Sequence, residues 1–303
     1  MNKHLVCIFA ALSLGTAACN DSKLAAAAIA SPEPTATATP APANEPPVAQ
    51  IAGATSYAPL GTANFDGGNS YDPDGTIASY AWAIVARPAG SASTVQQGGT
   101  PAVANFFVDL AGDYTIELTV TDNQGATGSQ QLNFSAVPSQ DLHIELTWVA
   151  SYTLADMDLH LINKTQTPAS GNFWNSTYDC FFSNCKPPYS SVNWWTAATN
   201  DNPTLDIDNI NEMVPENINV AQPHDGAYEV AVHFYSHDVP LAPVTVTVNI
   251  YVGGVVAWSG QRTLTATKQE WRAATINWSN GTATIAPFSS TNNADIVTTI
   301  YGS

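Results

Sequence analysis

Basic residues are scarce in this chain: 8 Lys and Arg stand against 25 Asp and Glu in 303 residues, a formal net charge of −17. Nucleic-acid binding rests on neutralising phosphates with Lys and Arg, so that partner class is excluded. A polybasic membrane patch is excluded on the same ground. Long apolar runs are missing too. The longest, Leu5 to Leu14, is ten residues, well short of the ~20 that a spanning helix needs. There is no His-Glu-x-x-His, no Gly-x-Ser-x-Gly and no EF-hand spacing, which removes the commonest hydrolase and calcium-loop signatures.

Cysteine is rare, and its four positions are informative: Cys7, Cys19, Cys180 and Cys185. Cys180 and Cys185 bracket a short loop and can pair in an oxidising compartment. The amino terminus has a short polar head with Lys3 and His4, the apolar run, and then the small residues Gly15-Thr16-Ala17-Ala18 directly before Cys19. This arrangement resembles the lipobox of a bacterial lipoprotein. The resemblance implies a signal peptide over 1–18, lipidation of Cys19 and a membrane partner through the lipid anchor. Asn20 after Cys19 implies the outer membrane or cell surface of the bacterial envelope. The alternative is an ordinary secretory signal cut near Ala18 that leaves Cys19 free. Residues 19–44 are rich in Ala, Pro and Thr and bury too little apolar surface to order themselves, so they read as a disordered linker.

Residues 45–137 read as an antiparallel β-sandwich. Tyr114, Ile116, Leu118 and Val120 alternate with Thr115, Glu117, Thr119 and Thr121, giving one buried and one wet face. The stretch Asn69-Ser70-Tyr71-Asp72-Pro73-Asp74-Gly75 through Trp82 resembles the signature of a PKD domain, as does Asp109 to Gly125. That resemblance implies an immunoglobulin-like fold and a spacer or interaction role. Asp72 and Asp74 read as turn residues, with Pro73 fixing φ between them.

Residues 140–288 read as a second, larger sandwich of jelly-roll or immunoglobulin-like type, with 289–303 as a C-terminal tail. The inward sets are Leu142/Ile144/Leu146/Trp148, Tyr228/Val230/Val232/Phe234 and Val244/Val246/Val248/Ile250, and Gly253-Gly254 marks a hairpin. The motifs Ile144 to Trp148, Asp156 to Leu161, Asp201 to Asp208, Pro215 to Ile218 and Gly226 to Val230 resemble the YfaP-like domains of exported bacterial proteins. The resemblance implies a fold and an address, without an activity. The whole chain is therefore expected to be all-β.

Two features of this second module carry candidate chemistry. Alternation puts Asp156, Asp158 and His160 on one face of a strand and Asp206 and Asp208 on one face of another. With Glu216 and neighbouring Asn209 and Asn217, they offer the hard oxygen ligands that Ca²⁺ takes. His233 and His237 read as surface histidines. The stretch Asn172 to Trp195 is crowded with aromatics, and Trp174, Tyr189, Trp194 and Trp195 are candidate ligand-binding residues on a loop pinned by Cys180 and Cys185. The same stretch can instead form a small core of its own.

The expected function is non-catalytic binding or adhesion outside the cytosol, with a glycan or a surface protein as ligand. The alternatives are a glycan hydrolase using Asp208 and Glu216 as acid and base, an accessory carbohydrate-binding subunit, and a purely structural envelope component.

Overall fold

A computed structural model of the chain describes residues 41–150, 155–166, 174, 177–188, 190–195, 201–208, 215–237 and 242–298. Cys19 and Tyr189 lie outside the described residues, as does Asn209. Among the described residues there is no α-helix, only strands and one 3-10 turn at Thr291–Asn293.

The first sandwich is built from β1 (Ala52–Gly53), β2 (Ser56–Tyr57), β3 (Thr62–Asp66), β4 (Ile77–Ala86), β5 (Gln96–Gln97), β6 (Val103–Phe107), β7 (Gly112–Asp122) and β8 (Thr127–Ala136). One sheet has the order β1-β3-β6-β5 and the other β2-β8-β7-β4, with β2 parallel to β8. Alternation along β7 buries Tyr114, Ile116, Leu118 and Val120, as the sequence predicts. Phe65, Phe106 and Phe134 pack with Tyr114 between the sheets. The Tyr114 hydroxyl donates to the Leu110 carbonyl at 2.9 Å, closing a tyrosine corner of the kind seen in immunoglobulin-like sandwiches.

The second sandwich uses β9 (Leu142–Ala150), β10 (Ala155–Asn163), β11 (Asp179–Cys180), β12 (Thr204–Ile207), β13 (Glu216–Val220), β14 (Gly226–His237), β15 (Val244–Val252), β16 (Val255–Leu264), β17 (Gln269–Ser279), β18 (Thr282–Pro287) and β19 (Ile296–Thr298). Its sheets run β11-β10-β14-β17-β18, with β19 also on β17, and β12-β13-β9-β15-β16. The inward sets of β9, β14 and β15 form one continuous core with Met157, Leu159, Trp271 and Ile276. Gly253 and Gly254, both at positive φ, make the two-residue turn between β15 and β16 that the right-handed strand twist favours.

The expected C-terminal tail is partly structural. Strand β19 pairs with β17, and buried Asp295 accepts a 2.8 Å bond from Arg262. The two sandwiches meet at Glu145, whose carboxylate accepts the Ala111 backbone N–H and the Tyr251 hydroxyl and approaches His143 Nε2 at 3.0 Å.

Candidate metal centre

Strand β10 alternates as the sequence predicts, yet all nine of its residues are buried. Met157, Leu159 and Leu161 face the sandwich core, while Asp156, Asp158 and His160 turn the other way. That second face is covered by the segment around β11. There the Cys180–Cys185 disulfide closes a tight loop, and Asn184 binds back to the Asp179 carbonyl and the Phe181 N–H. Phe181 stacks on the His160 ring at 5.4 Å, and Trp174 meets the same ring edge-on at 4.4 Å. Trp174 has φ +72°, a left-handed conformation uncommon for a bulky residue. In this conformation its N–H donates to Asp179 at 2.8 Å.

Cross-strand register assembles the rest. Asp158 lies opposite His233 on β14, and His233 lies opposite Glu270 on β17, so three ionisable side chains form a row over three strands. His233 is 1 % exposed, which corrects its reading as a surface histidine. The expectation failed because the covering loop comes from elsewhere in the chain and leaves no trace in the pattern of β14. His233 Nδ1 is 3.5 Å from Asp158 Oδ2. His160 Nδ1 donates to Asp179 Oδ2 at 2.9 Å.

The opposite sheet contributes two more carboxylates. Glu216 at the start of β13 is fully buried and accepts the Leu159 N–H at 2.8 Å. Asp208, just past β12, receives Lys186 at 2.8 Å. Asp158, Asp208 and Glu216 each offer an oxygen within 4.8 Å of the others, and Asp158, His160 and His233 meet the same criterion.

Asp156 is close enough to feel the charges of Asp158 and Asp208. Burial, then those two charges, push its carboxyl up to about 7. Burial also raises Asp158 to about 7, opposed by His160 and reinforced by Asp208 and Asp179. Burial alone would lower His160, but Asp179, Glu270 and Asp158 raise it to about 9. His233 falls to about 3 through burial and the neighbouring His160 charge. Burial drives Glu270 well above the carboxylate range. The raised carboxyls of Asp156, Asp158 and Glu270 share one first cause, burial, which penalises their charged forms.

Four of the five residues expected to hold calcium thus come together: Asp156, Asp158, Asp208 and Glu216. Asp206 does not join them. The β12–β13 pairing shifts between Leu205 and Ile207, and Asp206 instead accepts Asn219 Nδ2 at 2.5 Å near His143. Several buried oxygens of the cluster, Asp156 Oδ1, Asp158 Oδ2 and Asp208 Oδ1, have no hydrogen-bond partner, so the donor set suits a hard cation. Sequence reasoning missed His160, His233, Asp179 and Glu270 as one group. The signal was the ionisable residue on each strand's outer face, legible only once strand order is known.

The expected aromatic platform divides. Trp194 is 3 % exposed and stacks on Tyr228 inside the core, so it presents no face to a ligand. Its apolar area is better buried against β14 than in water. Trp195 is half-buried and stacks on His224 at 4.9 Å. Trp174 forms a rim beside His233 with Phe182 and exposed Tyr235, at ring separations of 4.6 to 6.4 Å.

Residues 55–135 match the family model described as "K319L-like, PKD domain", and this segment is a PKD domain. Among solved structures, the chain is similar to the PKD1 domain of Vibrio anguillarum Epp, at 27% identity over 31% of this chain and 96% of that one, with a TM-score of 0.23. It is similar to the PKD1 domain of the Vibrio cholerae metalloprotease PrtV at 25% identity, covering 30% and 98%, with a TM-score of 0.23. A structure described as carbohydrate-binding modules of the β-sandwich superfamily aligns at 14% identity over 72% of this chain and 99% of that one, with a TM-score of 0.29. No curated protein matches the chain. A PKD domain joined to a second β-sandwich fits a role in binding or adhesion outside the cell.

Proposed function

We propose that the chain is an exported envelope protein, tethered by lipid on Cys19, that binds a ligand without turning it over. The PKD domain acts as a spacer, and the second sandwich, of the YfaP-like kind, recognises the ligand. The observation that carries this reading is the rim of Trp174, Phe182 and Tyr235 beside the buried ionisable cluster. Aromatic faces on a scaffold of rigid strands suit stacking against a sugar ring or a protein side chain. Calcium held by Asp158, Asp208 and Glu216, with Asp156 behind them, would neutralise the carboxylates and stiffen the segment that carries the rim.

The hydrolase alternative is disfavoured by geometry. Glu216 is fully buried and already accepts a backbone N–H, so it is not presented to a substrate as acid or base.

Two measurements test the reading. Labelling with a clickable fatty acid in a bacterial host should tag the chain but not its Cys19→Ser form; an untagged parent chain rejects the tether. A glycan and surface-protein array probed with the mature chain should give binding that Trp174→Ala and Tyr235→Ala weaken at least tenfold. Turnover of a polysaccharide by the mature chain would instead reinstate the hydrolase.

A further inference from the structure

We propose that Asp158, His160 and His233 form a second cation position, of mixed nitrogen and oxygen character, that takes Zn²⁺ or a similar borderline transition metal. It goes beyond the calcium reading and does not depend on it.

Geometry comes first. The three residues offer ligand atoms within 4.8 Å of one another, and none is more than 3 % exposed. Zinc ligands at 2.0–2.1 Å in a tetrahedron lie about 3.3 Å apart. The Asp158 Oδ2 to His233 Nδ1 separation of 3.5 Å is already close to that edge. His160 has only to close the remaining gap.

The outer shell is also in place. A metal-binding histidine usually donates its second ring nitrogen to a carboxylate, which fixes the tautomer and leaves the other nitrogen free to bind. His160 has this arrangement: Asp179 holds Nδ1, and Asp179 is itself held by the Trp174 N–H. His160 Nε2 is fully buried and has no hydrogen-bond partner. A buried ring nitrogen left in that state costs free energy unless something engages it.

Charge and exclusion complete the case. Glu270, beside His233 in the register, is fully buried and neither carboxylate oxygen has a hydrogen-bond partner. Its place on the next strand lets its charge balance the ion. Buried carboxylates without a compensating cation must otherwise take up protons. Calcium is the wrong ion for this half of the pocket, because imidazole nitrogen favours zinc, copper or nickel. Asp158 belongs to both positions, so an ion at either changes the charge felt at the other.

The test strips the mature chain of metal with chelator and titrates it with Zn²⁺ and Co²⁺. One tight Zn²⁺ per chain is expected, with Co²⁺ giving visible ligand-field bands. His160→Gln and His233→Gln should each weaken Zn²⁺ binding by more than about 100-fold. If a variant does not fold, X-ray absorption on the Zn²⁺-loaded parent decides. Imidazole scattering supports the site, whereas an oxygen-only shell or no retained zinc overturns it, with protons then neutralising the pocket. Asp208→Asn should abolish a calcium response while leaving zinc bound, which separates failure of one reading from failure of the other.

Discussion

Glu145 in the second sandwich accepts the backbone N–H of Ala111 in the PKD domain at 2.5 Å, with both residues buried. The same carboxylate receives the Tyr251 hydroxyl, so one side chain ties a turn of the first module to two strands of the second. Changing Glu145 to Ala leaves a buried N–H and a buried hydroxyl without their acceptor. The expected cost is about 3 kcal/mol in urea unfolding. Faster hydrogen exchange at the Ala111 amide should accompany it. An unchanged amide would mean that the junction is held by something else.

Tyr114→Phe removes only the oxygen of the tyrosine corner while keeping the ring that stacks on Phe134 at 5.2 Å. The expected loss is about 1 to 2 kcal/mol, confined to the PKD domain. Chemical denaturation of the domain's tryptophan signal would measure it. A loss near zero would show that the corner is dispensable here.

Buried tyrosines set the alkaline limit. Burial, then neighbouring carboxylates, raise Tyr114 and Tyr251 far above the ordinary phenol range, and burial raises Tyr228 to about 12. An acid whose folded pKa is raised holds its proton more tightly in the folded state. Its contribution is complete below pH ~10 and is lost as pH climbs toward the folded value. Ultraviolet titration should therefore show these three phenols ionising only together with unfolding. A single smooth transition near pH 10 for all eleven tyrosines would contradict it.

Calcium at a hundredfold excess over its dissociation constant should stabilise the chain by about 2.7 kcal/mol. Asp208→Asn should remove the effect. Asp206→Asn should not, because Asp206 is turned toward Asn219. Melting curves with calcium and with chelator distinguish the two variants, and equal loss in both would mean that the cluster has been drawn wrongly.

The Cys180–Cys185 bridge closes a short loop, and removing it by Cys→Ser at both positions should cost about 2 kcal/mol by loop entropy. The larger consequence is positional. Asp179 precedes Cys180 and orients His160, so the double variant should loosen zinc as well as lower stability. Isothermal titration reads the first effect and denaturation the second.

Much of the fold was legible from period-two alternation. The core-facing sets of β7, β9, β14 and β15 fall where alternation places them, although the other faces of β9 and β14, with His143, Glu145, Glu229 and His233, are buried as well. The PKD segment was legible from its turn chemistry. At β10 the rule held for direction and failed for environment: Asp156, Asp158 and His160 share a face, but that face is roofed by residues near Phe181. Asp206 was misplaced because one irregularity in β12–β13 pairing breaks the two-residue period. Trp194 could not be separated from an exposed aromatic by composition, since its burial against Tyr228 is a contact between distant segments. Local rules reach a residue's direction; what lies in that direction is set by chain from elsewhere.

The roof over β10 has an evolutionary consequence. Most strands here alternate, as β16 does with exposed Val255 and half-buried Trp258, and so can drift freely at every second site. In β10 no such freedom exists. A saturation library across the chain should return a solid block of nine intolerant codons there, apolar positions rejecting polar substitutions and Asp156, Asp158 and His160 rejecting apolar ones.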